Sequence, residues 1–201
     1  MSMAHVFDYA RPKELTEVVK LLSEHGSQAN ILAGGTDLIV NMKEGMLKPS
    51  LLIDIKDIPS INKITEKNGR LYIGAGVTFT TLIESSKIKE SFPMLWDAAR
   101  TVASSGVRSR ATLAGNICSA VPSLDSATPL LCHEAIVHCI SVEEKREIPI
   151  SEWFIAPRKT SLRANEMVCE ISLELPKKKQ AGIYLKRSEE RRVGKECRSR
   201  W

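Results

Sequence analysis

Asn30-Ile-Leu-Ala-Gly-Gly-Thr-Asp-Leu-Ile-Val40 is the stretch on which the reading of this 201-residue chain turns. It begins as an apolar run, breaks on Gly34-Gly35, adds Thr36-Asp37 and becomes apolar again. Two readings suit that pattern. One is a tight turn at the end of a buried strand. The other is a bared backbone: glycine permits positive φ and carries no side chain, so consecutive N–H groups can converge on one anion, with Thr36 adding a hydroxyl donor. No lysine follows in the spacing of a Walker phosphate loop, and the glycines do not match the GxGxxG of dinucleotide folds.

Working outward, Pro12–His25 reads as a helix. Pro12 suits its first turn, Leu15, Val18, Val19 and Leu22 form one stripe, and Gly26 suits the position after its end. Ala29–Leu32 reads as the strand entering the glycine turn, and Leu51–Ile55 as another beyond Pro49. Pro59 closes a first, strand–helix–strand–strand lobe, giving units at residues 1–58 and 59–188. In the second, Ile61–Thr65 and Arg70–Ile73 flank Asn68-Gly69 as a hairpin. Thr80–Ser85 and Phe92–Ala103 read as helices, and Ala135–Ile140, Val168–Leu175 and Ala181–Lys186 as strands. The expected class is α+β with two lobes.

A second loop strengthens the anion reading of the first. Ala111-Thr-Leu-Ala-Gly-Asn116 again sets a hydroxyl, a glycine and a side-chain amide together, and two such loops can grip one pyrophosphate from both sides. Asp125 follows nine residues after Asn116. It suits either a hydroxyl acceptor for a sugar-like chain or the N-cap of an apolar turn over Ala127–Leu131. Arg108 and Arg110 read either as steering groups for an anionic ligand or as exposed strand arginines.

Composition excludes several classes. No apolar run approaches ~18 residues, so no membrane span is expected, and the first residues lack the pattern of a secretory signal. Five cysteines are scattered without a CxxC pair, as suits reduced thiols in a cytoplasm. Cys118, Cys132, His133, His138 and Cys139 match no usual zinc spacing. The net charge of +5 is unevenly placed: residues 1–175 carry −2 and residues 176–201 carry +7. A basic tail on a near-neutral body does not describe a nucleic-acid-binding face. Residues 189–201 resemble translated vector sequence and are expected to be a non-native tail, with a basic native tail as the alternative.

LAGGTDLIVNMK, IGAGVTFTTLIE and ATLAGNICSAVPSLDSATPLL, in that order, resemble the FAD-binding subunit of the molybdenum hydroxylases, the flavoprotein of xanthine dehydrogenase and carbon monoxide dehydrogenase type. The resemblance covers residues 4–188. It implies a small N-terminal lobe and a larger α+β lobe with FAD between them, and a third domain that this chain stops before. It implies a first pyrophosphate loop at Ile31, Leu32, Ala33, Gly34, Gly35, Thr36, Asp37 and Leu38, and a second at Thr112, Leu113, Ala114, Gly115 and Asn116. It also implies that Asp125 contacts the flavin's hydroxylated chain and that Lys186 is a basic residue beside the flavin. Ala114 replaces the first of two glycines usual in the second loop, which places a methyl where phosphate would approach. Val102 stands where some relatives carry an aromatic contact. The function implied is electron transfer within a cytoplasmic complex. A molybdopterin-binding large subunit and a two-iron two-sulfur small subunit would be partners, with NAD or another molecule as acceptor. A nucleotide-binding or assembly subunit without productive flavin is the alternative. The scattered cysteines agree that the clusters lie on another chain.

Overall fold

The computed structural model describes residues 5–177 and 182–186. The chain enters through β1 (Asp8–Ala10), α1 (Leu15–His25), β2 (Ala29–Leu32), α2 (Leu38–Lys43) and β3 (Leu51–Asp54). The three strands form a parallel sheet in the order β1-β3-β2. All four residues of central β3 are buried, as a strand flanked on both edges and both faces requires. Helix α1 buries Val18, Val19 and Leu22 and ends on Gly26 at φ 52°. It starts at Leu15 rather than Pro12, because Glu14 is still extended.

After a 3-10 turn at Pro59–Ile61 come β4 (Ile64–Lys67) and β5 (Arg70–Gly74). Asn68 and Gly69 both have positive φ, 51° and 73°, the geometry that matches the twist of a two-residue hairpin. Five short helices follow: α3 (Phe79–Glu84), α4 (Ser86–Ser91), α5 (Pro93–Thr101), α6 (Ser105–Arg108) and α7 (Leu113–Ser119). Next are α8 (Ala127–Cys132), β6 (Ile136–Ile140), β7 (Lys145–Pro149), α9 (Ile150–Trp153), the small pair β8 (Phe154–Ala156) and β9 (Lys159–Thr160), and β10 (Met167–Glu174). An antiparallel sheet runs β4-β5-β10-β6-β7, with the long β10 at its centre.

The α+β expectation holds, and several details change. Helix α5 stops at Thr101, since Val102 is extended and Ala103 left-handed at φ 37°. Arg108 belongs to a helix, not a strand. Residues 182–186 form no strand, and the rest of that expected element, like residues 189–201, lies outside the described residues. One hydrophobic cluster joins Val18, Leu22 and Ile53 of the first sheet's layer to Ile61, Ile73 and Leu113 beyond it.

Candidate functional site: a cleft between two glycine loops

The first loop occupies the five residues between β2 and α2. A β-carbon on Gly34 would lie 2.2 Å from the Arg110 carbonyl oxygen and 2.9 Å from the Ala111 Cα, so only glycine lets the two loops touch backbone to backbone. Gly35 supplies the other requirement, a left-handed φ of 75°. Among the described residues, the N–H groups of Gly34, Gly35, Thr36 and Asp37 find no hydrogen-bond acceptor. Four neighbouring donors released from the protein's own ladder form a nest suited to an oxyanion.

The second loop is held from behind. Phe79 N–H donates to the Ala111 carbonyl at 3.0 Å and Leu113 N–H to the Val77 carbonyl at 3.2 Å, around an antiparallel bridge between Thr78 and Thr112. Thr112 then caps α7: its Oγ1 accepts from Gly115 N–H at 3.0 Å. Asn116 is oriented by Ser126, whose fully buried hydroxyl donates to Asn116 Oδ1 at 2.6 Å. The amide nitrogen of Asn116 donates to no described group, and the residue lines the cleft.

Between the loops lies a hollow of about 400 Å3, continuous with neighbours of about 650 and 800 Å3 that share Asn30 and Cys118 with it. Of the residues expected from the sequence, Ile31, Ala33, Gly34, Gly35, Thr36, Asp37, Leu38, Thr112, Gly115, Asn116 and Asp125 line the first hollow. Leu113 and Ala114 do not: both are buried in the core, and Ala114 also lines the neighbouring hollow of about 650 Å3. The Ala114 methyl therefore borders the neighbouring hollow and not the first one. Leu32 does not line it either, and its carbonyl accepts from Ile55 N–H at 3.2 Å.

Asp125 and Lys186 come together across the chain. The ammonium is 2.8 Å from Asp125 Oδ2 and also donates to the Thr101 carbonyl at 3.1 Å. Tyr184 donates to the other carboxylate oxygen at 2.7 Å. The N-cap alternative for Asp125 fails, because Ser126 occupies that position. The carboxylate, 11% exposed, is thus fixed at the cleft edge with its charge balanced by Lys186. Each oxygen retains acceptor capacity for a hydroxyl. Tyr184 escaped the sequence reading, which singled out only Lys186 in this segment.

Among the described residues no lysine or arginine lines the first hollow, and the charged ones that do are Asp37 and Asp125. Val102, Ala103 and Val107 form an apolar part of its lining, also missed apart from Val102. Burial pushes the Cys118 thiol up to about 12, so it borders the cleft as a neutral group and not as a nucleophile. No cluster of three or more His, Cys, Asp or Glu residues suited to a metal occurs among the described residues. No helix there is long and apolar enough to cross a membrane.

A parallel and an antiparallel sheet on one core, with a hollow between two glycine loops and a carboxylate at its edge, make this an α+β protein. The chain belongs to the family described as FAD binding domain in molybdopterin dehydrogenase, whose model matches residues 5–177. It is 35% identical over 167 residues to the xanthine dehydrogenase FAD-binding subunit of Escherichia coli O157:H7, covering 81% of this chain and 57% of that protein. It is 30% identical to caffeine dehydrogenase subunit beta of Pseudomonas sp. (strain CBB1), covering 85% of this chain and 58% of that one. Among solved structures, carbon monoxide dehydrogenase from Hydrogenophaga pseudoflava superposes with a TM-score of 0.83 at 33% identity, covering 85% of this chain and 60% of that one. Quinoline 2-oxidoreductase from Pseudomonas putida 86 gives 0.83 at 25% identity, covering 88% and 61%. The chain thus spans under two thirds of each of these relatives.

Proposed function

We propose that the cleft holds FAD and that this chain is the flavin-carrying part of a cytoplasmic molybdenum hydroxylase complex of xanthine dehydrogenase type. The observation that carries the reading is the contact of Gly34 with the Arg110 backbone, which brings a nest of four free N–H groups beside the capped start of α7. Neutral and N–H donors, not cations, would meet the pyrophosphate from both loops. Asp125, held by Tyr184 and Lys186, would accept from the hydroxylated chain, and the Val102–Val107 wall would exclude water from the ring.

Bound flavin would supply the redox chemistry, a two-electron relay between iron–sulfur clusters and NAD or another acceptor. The chain's own residues bind, orient and shield, and no acid–base or nucleophilic group of the cleft is needed. A molybdopterin-binding large subunit and a two-iron two-sulfur small subunit complete the proposed complex. A nucleotide-binding or assembly subunit without productive flavin is the alternative, and the Ala114 methyl, which borders the neighbouring hollow, is the feature of the second loop that bears on it.

The test is the visible spectrum of the purified chain, with release and identification of the cofactor. Bound FAD is expected. Gly35→Asp should abolish its retention and Asp125→Ala should weaken it. Unchanged flavin content in both variants would overturn the assignment of the loops.

A further inference from the structure

The wall of the cleft beside Asp125 is an unusual turn, joined to that carboxylate through Lys186. Helix α5 ends at Thr101, where the last carbonyls of any helix lack partners within it. Val102 is then extended and Ala103 sits at φ 37°, a left-handed conformation that is unfavourable for an L-residue with a β-carbon. Three consecutive carbonyl oxygens here each meet a side-chain cation. Lys186 Nζ donates to Thr101 at 3.1 Å, and Arg108 Nη1 donates to Val102 at 2.8 Å and to Ala103 at 3.0 Å.

We infer that Arg108 is a positioning residue of the cofactor cleft, acting through the Val102 and Ala103 carbonyls and never touching the ligand. Arg108 does not line the hollow, whereas Val102, Ala103 and Val107 do. It makes no ion pair with a carboxylate among the described residues, so the two carbonyls are its partners. One guanidinium nitrogen bridges the extended and the left-handed residue, which holds the turn in a shape its backbone would not keep alone. The helix that carries Arg108 leads directly to Arg110, whose carbonyl seats Gly34. A single four-residue helix therefore sets the apolar wall on one side and the loop contact on the other.

The inference rests on the cofactor reading above, and the experiment separates the two. FAD affinity and the bound-flavin spectrum are measured for the parent chain, Arg108→Ala, Arg108→Lys, and Arg108→Ala with Ala103→Gly. Arg108→Ala should raise the FAD dissociation constant at least tenfold and alter the shape of the visible bands. Millimolar guanidinium should restore much of the affinity, while potassium at equal ionic strength should not. Adding Ala103→Gly should also recover affinity, because glycine adopts the left-handed turn without strain. Arg108→Lys should lie between, and carries the comparison alone if the alanine variant does not fold. Affinity and spectrum unchanged in Arg108→Ala would overturn the inference, as would a loss that neither guanidinium nor Ala103→Gly reverses. A parent chain that takes up no FAD would instead sink the cofactor reading, and this one with it.

Discussion

A β-carbon on Gly34 would collide with the Arg110 carbonyl at 2.2 Å, whereas one on Gly35 would meet the flexible end of Leu32 at 2.8 Å. The first obstacle is backbone and cannot swing aside. Gly34→Ala should therefore push the loops apart and cost about 3 kcal/mol, with loss of flavin. Gly35→Ala should cost less, about 1–2 kcal/mol from its left-handed φ. Urea unfolding with a parallel flavin assay ranks the two, and an equal or reversed ranking would contradict the close-approach argument. At Tyr184, burial and then the bond to Asp125 push the phenol up to about 12. An unfolded tyrosine ionises near 10. Between those values the unfolded chain releases a proton that the native chain keeps, so this contribution to stability is complete below pH 10 and falls as pH rises to 12. Tyr184→Phe should flatten that part of the stability profile. Identical slopes for the two proteins would show that Tyr184 does not hold its proton as the geometry requires.

At the scale of elements, α7 carries the second loop and is held from below by Trp153 at the end of α9. The indole is fully buried and donates to the Ile117 carbonyl at 3.0 Å. Trp153→Phe leaves that carbonyl without its partner and opens space beneath the helix, at about 2–4 kcal/mol. Because α7 presents Gly115 and Asn116, flavin affinity should fall along with stability. A drop in melting temperature with affinity unchanged would mean that α7 keeps its place without this prop. Elements with a local cause were legible in the sequence: the Asn68-Gly69 hairpin, the end of α1 on Gly26, and the glycine loop itself. Helix α6 was not, since four residues are too few for a periodic pattern and the Arg-Ser-Arg alternation imitates a strand. The β8–β9 pair is likewise shorter than any pattern can mark. Within the site, the residues bearing Gly, Thr and Asn chemistry could be read directly. The bonds from Tyr184 and Lys186 to Asp125 span 59 and 61 residues and arise only when the chain folds. The roles of Arg108 and Tyr184 depend on such long-range or non-helical geometry, and residue type alone does not reveal them.

For the whole molecule, the core crosses the lobe boundary expected near residue 58. Val18, Leu22 and Ile53 belong to the same buried cluster as Ile58, Ile61, Ile73 and Leu113, with no polar layer separating them. Continuous apolar contact of this kind couples the loss of one lobe's packing to the other's. Trp96 and Trp153 lie beyond the expected boundary at residue 58, and Trp201 falls in the expected tail, so in a Trp201→Phe background indole fluorescence reports the second lobe while far-ultraviolet circular dichroism reports both. The two signals should change together in urea, with one midpoint. FAD that binds only the folded cleft should then move both midpoints equally. At a free concentration a hundredfold above its dissociation constant it should add about 2.7 kcal/mol, or roughly 5–10 °C in melting temperature for a chain of this size. Separate midpoints, or a shift confined to fluorescence, would mean that the lobes unfold independently and that the cofactor grips only one of them. The Gly34–Arg110 contact predicts the opposite, because a ligand seated across it meets backbone from both lobes at once.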